Sequence, residues 1–467
     1  MLKVAIIGAG PAGFFAAAEL LRVKGTTVDL FDRLPTPFGL VRHGVAPDHP
    51  DIKSVIDRYD ESALAAGPRF RLLGNVEIGK DVSLAELQRR YHAVLLSYGA
   101  SKSRSLGIPG EGLPGVYPAS DFVGWYNGHP DQAASRFDLS AERAVVVGVG
   151  NVALDVARIL LKPLAELERT DMSSLALDAL ARRQVREVTL LGRQGCAQAA
   201  FTPPEPLQSA EIDGTDFVIT PDDRVLDSET ASRLARGTLD NPTERKLDAI
   251  AKAREAARAG RKVAQLRFWT SPVAILGTSR VEGVRVARNA LLPGPDGVPR
   301  LTPTGQTEDI PCGAVFTSIG YGVQPFPGVP FDAARGCVSH RRGQVTDESG
   351  QPVPGLFVAG WAKRGPRGVI GSNKPDAQET VRTLIDAARA KSLPEPQLLG
   401  EDIVAALSRS GVRCVSFPDW KLLDGFEVEA GRSEGRPRRK FTDAGAMLEA
   451  LAQARPEVAP EGTGTDG

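Results

Sequence analysis

The sequence predicts an α/β protein with two separate parallel-sheet units, and three observations predict it. A glycine-rich turn, GAGPAG at Gly8–Gly13, follows an apolar run and opens a helical pattern. A second turn, GVGNVA at Gly148–Ala153, repeats that order. The chain has 467 residues, too many for one ordinary domain at roughly 150 residues each.

The elements follow in order. Leu2–Ile7 (LKVAII) is a short apolar run before glycine and reads as a buried strand. Phe14–Arg22 carries helix formers, with Phe15, Ala16 and Leu20 expected on one side. Thr27–Asp32 (TVDLFD) reads as the next strand, which completes a βαβ unit. The loop Pro35–Pro50 is long for a connector and is expected to be functional. His92–Ser97 (HAVLLS) is another buried strand. The second unit starts at Arg143, with Val152, Val156 and Ile159 at helical spacing and the following strand at Glu187–Arg193. Residues 162–185 have helical composition, and 228–262 read as surface helices. Ala314–Gly322 and Leu356–Gly360 are further strands before glycines. The stretch 456–467 is Gly-, Pro- and acid-rich and is expected to be a disordered tail.

Composition narrows the function. Lys+Arg and Asp+Glu are both 57, so no global charge points to nucleic acid. No apolar run reaches the roughly 18 residues that span a bilayer. The first apolar stretch runs directly into a glycine turn, so it is read as a strand rather than a targeting segment, and a cytoplasmic protein is expected. The four cysteines, Cys196, Cys312, Cys337 and Cys414, form no CxxC pair. That spacing argues against structural disulfides, a zinc site, an internal iron–sulfur cluster or a dithiol relay, and four isolated buried thiols are expected.

Each glycine turn has a physical reading. Gly8 permits the tight turn, Gly10 lets the backbone approach a pyrophosphate, and Gly13 allows helix and strand to pack closely. The helix start supplies unpaired N–H groups and partial positive charge for that anion. Asp32, at the end of the second strand, can accept hydrogen bonds from ribose hydroxyls. In the second turn Ala153 takes the third glycine's place, and the strand end carries Arg193 instead of an acid. A cation suits a 2′-phosphate, which an acid would repel, so NADPH is favoured there and FAD in the first unit. The alternatives are a ligand-free turn and a solvated surface arginine. Two such sites in one chain suggest that one cofactor stays while the other comes and goes. A flavin can accept a hydride pair and release electrons singly.

Four strings carry a resemblance: Pro37–Lys53 (PFGLVRHGVAPDHPDIK), Gly74–Gly79 (GNVEIG), Gly150–Arg158 (GNVALDVAR) and Gly360–Ala377 (GWAKRGPRGVIGSNKPDA). With FPDWKLLDGFE and GRPRRKFT near the end, they resemble the adrenodoxin-reductase-like family of ferredoxin–NADP reductases, from residue 2 to about 450. The resemblance implies two Rossmann-like dinucleotide-binding domains in a glutathione-reductase-like arrangement, with the NADP domain inserted in the FAD domain. The FAD domain would comprise 1–105 and 324–455, and the NAD(P)H domain 106–323.

By the same resemblance, Ala12, Asp32, Leu40 and Val76 would contact FAD. Trp361 would lie beside the flavin, and the backbone of Gly368, Val369 and Ile370, at a helix start, would face its rings. Gly150, Asn151, Val152, Arg193 and Glu205 would hold NADPH. The family pattern has two consecutive arginines where this chain has Arg193 and Gln194, which leaves NADH open as a second donor. His49 would lie near the flavin, to tune it or relay a proton. Some relatives have a glutamate at the place of Gln208, so a His–carboxylate relay is in question.

The resemblance also implies a [2Fe–2S] ferredoxin as partner, a monomer, and a monooxygenase or similar system as the consumer of electrons. Residues 245–262 hold seven basic side chains, among them Arg245, Arg254 and Arg258, against two acids. Arg254, Arg258 and Arg261 are expected on one helical face, near the family's docking region, where an acidic ferredoxin would be steered. A solvated face is the plain alternative. Among rival functions, a flavin monooxygenase or other flavin enzyme acting on a small molecule also uses two dinucleotide turns. A glutamate-synthase-like reductase subunit would carry cysteine clusters, absent from this sequence. A flavin-bearing sensor would have no use for the second turn.

Overall fold

The computed structural model describes residues 1–202, 211–293, 299–398 and 400–454. Glu205, Gln208 and the expected tail at 456–467 lie outside the described residues. The two glycine turns sit on two separate sheets. The first has the order His340–Arg341, Gln344–Thr346, Pro352–Val358, Ala93–Leu96, Leu2–Ile7, Thr26–Phe31 and Phe70–Leu73. Its last five strands are parallel, with Ile7 opposite both Phe31 and Leu96, and Val358 opposite Leu96. The second is parallel throughout, in the order Val116–Pro118, Ala314–Thr317, Arg143–Val147, Glu187–Leu191, Lys262–Arg267 and Thr215–Val218.

The chain leaves the first sheet after Leu96 and returns to it from His340 onward, so the first sheet takes strands from both ends of the chain and the second takes those between them. The two crossings run side by side as an antiparallel pair, Ser103 opposite Tyr321 and Lys102 opposite Gly322.

Apolar continuity explains the layers. The parallel strands bury nearly every residue, as strands covered on both faces must. The helix Pro11–Leu20 buries Phe14, Ala16, Ala17 and Leu20 on the first sheet. Phe15 is only half-buried and stacks edge-on with Tyr59 at 5.4 Å, so the buried stripe is centred on Phe14. The helix Asn151–Leu161 packs against the second sheet through Leu154, Val156 and Leu160, while Val152 is half-buried. A meander, Thr270–Leu276, Gly283–Pro293 and Pro299–Pro311, covers the other face through Ile275, Val284 and Val286. Cys196, Cys312 and Cys337 are buried, whereas Cys414 is half-buried, a correction to the expectation of four buried thiols.

The basic segment also differs from expectation. The helix Asn241–Ala251 stops before Arg254, so Arg254, Arg258 and Arg261 do not share a helical face. The turn that follows brings all three onto one carboxylate instead. Asp216, fully buried on the edge strand, pairs with Arg258 at 2.5 Å, Arg261 at 2.8 Å and Arg254 at 3.8 Å. A buried carboxylate must be paired, and that requirement outweighed continuation of the helix.

Candidate functional site: two nucleotide turns and the loop between them

The first turn is built by contact. Gly8 has φ of 107°, and a Cβ there would lie 2.5 Å from the Ser97 carbonyl oxygen. A Cβ on Gly13 would collide with the Gly8 carbonyl. Gly10, by contrast, has nothing within 4 Å of its ideal Cβ position, so its backbone is open on the side where a phosphate can approach. The helix Pro11–Leu20 has proline in its first turn and no side-chain cap, leaving its first N–H groups available to an anion. Asp32 accepts from Ala9 N at 2.8 Å through one oxygen and from Leu34 N at 3.0 Å through the other. Burial pushes this carboxyl up, against those two N–H donors. Val76 is buried, and its N–H donates to the Asp32 carbonyl at 2.8 Å, so it backs the same strand end. The loop before Leu40 presses on the turn: Phe38 N donates to the Ala9 carbonyl at 2.7 Å, and a Cβ on Gly39 would lie 3.0 Å from Gly10 Cα.

Asp32 follows the end of Thr26–Phe31 and the first glycine turn follows Leu2–Ile7, and the ends of Ala93–Leu96 and Pro352–Val358 come next in the sheet. Trp361 stands there. The turn at Gly360 has φ of 74°, and a Cβ on it would lie 2.6 Å from Ala12 Cβ. Trp361 is half-buried beside Tyr321, ring centroids 5.6 Å apart, and its indole Nε1 is buried without a hydrogen-bond partner among the described residues. Gly368, Val369 and Ile370 follow, leading through a short 3₁₀ turn into the helix Asn373–Arg389.

The second turn repeats the scheme. Gly148 has φ of 132°, and a Cβ on it would collide with the Ser318 carbonyl. Gly150 is open, with only Ala200 Cβ at 4.0 Å. Asn151 spends its side chain on the neighbouring loop, accepting from Thr202 N at 2.8 Å and donating to Thr202 Oγ1 at 3.3 Å. Arg193 and Gln194 are both exposed at the carboxyl end of Glu187–Leu191. Their backbone carbonyls are held by Asn289 Nδ2 and Trp269 N, which fixes the strand end while the side chains stay outward.

Between the turns lies the Pro35–Pro50 loop, and here the structure brings together residues that motif reading missed. Arg158, on the second turn's helix, donates to Asp48 at 2.8 and 3.0 Å and to Asp155 at 2.7 Å. Lys162 adds a contact to Asp48 at 3.0 Å. Burial opposes ionisation of Asp48, but Arg158 and Lys162 outweigh it and hold the carboxyl well below the usual range. Burial pushes Asp155 the other way, up, against the charges of Arg158 and of nearby His49. His49 is buried and starts the short helix Pro50–Lys53. Lys53 in turn pairs with Asp171 at 2.6 Å, and Asp171 with Lys440 at 2.9 Å. Arg42 forks onto Glu427 at 2.5 and 2.9 Å while its guanidinium lies over Trp420, 5.2 Å from the ring centroid. Asp155 and Arg158 stand three residues apart in GNVALDVAR, and Arg42, Asp48, His49 and Lys53 fall within Pro37–Lys53, but neither string shows that the two meet.

Arg254 and Arg258 lie in the turn that packs against the outer edge strand of the second sheet, Thr215–Val218. That strand is separated from the second glycine turn's strand by two others, roughly 14 Å at ~4.8 Å per strand. Arg245 is exposed on the helix Asn241–Ala251, and Lys246 bends under the Ala197–Ala199 backbone. Among the described residues, no group of His, Cys, Asp and Glu is placed to hold a metal ion, and no helix is long and apolar enough to cross a membrane.

This geometry has close counterparts. Residues 2–195 match the family model of pyridine nucleotide-disulphide oxidoreductases. Human mitochondrial NADPH:adrenodoxin oxidoreductase is 44% identical over 461 residues, covering 96% of this chain and 92% of that protein. The chain belongs to the adrenodoxin-reductase-like ferredoxin–NADP reductases. Within this reductase family, NADPH-ferredoxin reductase FprA of Mycobacterium tuberculosis is 43% identical, covering 95% of this chain and 98% of its own. The structure of FprA in complex with NADPH superimposes with a TM-score of 0.89 at 40% identity, over 97% of this chain and 99% of that one. The family's flavin fits the first site: the Gly10 backbone is open, the helix start is uncapped, and the buried Trp361 indole has no partner among the described residues.

Proposed function

We propose that this reductase passes electrons from NADPH through FAD to a [2Fe–2S] ferredoxin. The observation that carries the reading is the pairing of two glycine turns with opposite strand-end chemistry, Asp32 in one and Arg193 in the other. Bound FAD supplies the conversion of a hydride pair into single electrons. The chain's own residues bind and orient. Gly8, Gly10, Ala12 and Gly13 receive the FAD pyrophosphate, Asp32 holds the glycine turn and faces the ribose, and Leu40 and Val76 close the adenosine end. Trp361 with Gly368, Val369 and Ile370 borders the flavin rings. Gly150, Asn151 and Val152 receive the NADPH pyrophosphate, and Arg193 meets the 2′-phosphate; Glu205 belongs to this proposal by resemblance alone.

His49 is assigned a proton-holding role beside the flavin. Asp155 is the carboxylate near it, which removes the need for an acid at position 208. The domain limits are placed at 105 and 323, beside the paired crossings at Ser103 and Tyr321. Arg245, Arg254 and Arg258 are proposed to steer the ferredoxin, with the last two carrying part of their charge into Asp216. A monomer is proposed, and a cytoplasmic location suits the unpaired thiols.

The test is rapid mixing of the flavin-loaded protein with NADPH, then with a [2Fe–2S] ferredoxin, following the flavin's visible absorbance. Reduction by NADPH and reoxidation that depends on ferredoxin are expected. Reoxidation by oxygen with hydroxylation of a small molecule would instead support a monooxygenase.

A further inference from the structure

The Gly368–Ile370 turn is shaped from behind by one guanidinium. Arg364 Nη1 donates to the Arg367 carbonyl at 3.1 Å and lies 3.5 Å from Ser372 Oγ. Its Nη2 donates to Asn373 Oδ1 at 2.8 Å, and its Nε lies 3.2 Å from Asp376 Oδ1. The same shell takes the next carbonyls. Ser372 Oγ donates to Val369 O at 2.6 Å, and Asn373 Nδ2 to Ile370 O at 3.1 Å. Asp376 also accepts from Gly360 N at 2.5 Å, so the turn beside Ala12 and the turn at Gly368 share one anchor.

Peptide planarity gives the consequence. In a trans peptide the C=O and N–H point in opposite directions. With the carbonyls of Arg367 and Val369 drawn inward, the N–H groups of Gly368 and Ile370 are turned to the opposite side. The turn is open to a ligand: Val369, between them, is 56% exposed. No side chain fits on Gly368 without collision, since its Cβ would strike Ser372 Oγ and lie 3.3 Å from Arg364 Nη1, so the inward packing is tight. Arg364 is itself 26% exposed, and of its neighbouring acids Asp376 is shared with Lys363 at 3.0 Å, so its charge is only partly neutralised.

We infer that Arg364 is a positioning residue for the flavin: it aims the N–H groups of Gly368 and Ile370 at the cofactor and adds a positive charge behind them, favouring the reduced flavin over the oxidised one. This rests on the FAD reading above. Donors and charge fixed before reduction stabilise negative charge that develops on reduction. Arginine suits the task because its planar guanidinium holds its donors in a fixed fork, whereas a lysine ammonium is a compact point charge on a flexible stem.

The test is the two-electron midpoint potential of the bound flavin in the wild-type chain, Arg364→Gln and Arg364→Lys, with FAD affinity of each apoprotein measured by fluorescence. Arg364→Gln is expected to lose about tenfold in the preference for reduced over oxidised flavin, a shift of about 30 mV to more negative potential. Arg364→Lys keeps the charge and is expected to shift about threefold, roughly 14 mV, in the same direction. It also serves if Arg364→Gln does not fold. Weaker FAD binding with an unmoved potential in both variants would reduce Arg364 to a structural part and overturn the proposal. A wild-type chain that takes up no FAD would overturn the underlying reading instead.

Discussion

Arg158 and Asp48 form a two-pronged, buried ion pair that joins the helix of the second glycine turn to the loop of the first nucleotide unit. Both side chains are almost fully buried, 2% and 6% exposed, and Lys162 contacts the same carboxylate. Such a pair contributes little beyond what apolar packing would, but breaking it strands a buried charge. It therefore acts as a register for how the two units meet.

Asp48→Asn is expected to destabilise the chain by about 3 kcal/mol, because Arg158 and Lys162 lose their shared acid. Urea denaturation compared with wild type measures it. A loss under about 1 kcal/mol would mean that Asp155 alone satisfies Arg158.

Gly10→Ala and Gly13→Ala should behave differently. Gly10 has no atom of the described residues within 4 Å of its Cβ position, so the alanine apoprotein should melt like wild type while its FAD affinity falls about a hundredfold or more, roughly 3 kcal/mol. Gly13→Ala drives a methyl into the Gly8 carbonyl and should lower both stability and FAD uptake. Thermal melts of the apoproteins with FAD titration separate the two; equal apoprotein damage would mean that Gly10 is a structural glycine only.

Stability should fall with acid in two stages. Burial lowers the His129 pKa to about 4, and burial lowers that of His43, whose ring lies 4.8 Å away, well below the usual value. A histidine with a depressed folded pKa binds fewer protons than the unfolded chain, so its contribution is present above about 6.5 and is lost as pH falls toward 4. Asp48 and Asp171 are depressed as carboxylates, so their contribution is intact above about 4 and is lost only below it. His129→Asn keeps an acceptor for Asp131 N and should flatten the upper stage by on the order of 2 kcal/mol. Unfolding curves between pH 7 and 4 check this; an unchanged slope in the variant would assign the upper stage to other groups.

Arg193→Ala should raise KM for NADPH by about tenfold to a hundredfold, ~1–3 kcal/mol for a hydrogen bond to a charged group, and leave KM for NADH unchanged. Gln194→Arg should move discrimination toward NADPH by a similar amount. Steady-state kinetics with both nucleotides decide it; parallel loss for NADH would mean that Arg193 shapes the loop rather than reading the phosphate.

Ferredoxin association should weaken with salt, and Arg245→Ala should slow it several-fold at low ionic strength with kcat unchanged. Arg258→Ala should also loosen the Asp216 knot, which a melt would register. If neither arginine alters the association rate, the docking face lies elsewhere.

Much of the site was legible because it is local. Gly8, Gly13 and Gly148 are demanded by close backbone approach within a few residues of chain or one strand away, and Asp32 and Arg193 follow at strand ends that apolar runs announce. The basic segment was not legible. Its composition reads as helix, but Arg258 donates through both its backbone N–H and its guanidinium to Asp216, buried on a strand some forty residues earlier, a pairing that the local sequence does not show.

The sequence by itself determined the two strand–turn–helix units and the opposite charges at their strand ends. Backbone φ, helix starts and strand periodicity act over short stretches. Only the tertiary structure decided which charges meet: Arg158 with Asp48 across 110 residues, Lys53 with Asp171 across 118, and Arg42 with Glu427 across 385. Those pairings depend on how two sheets and both chain ends close around one loop, and a buried charge accepts whichever opposite charge that closure brings to it.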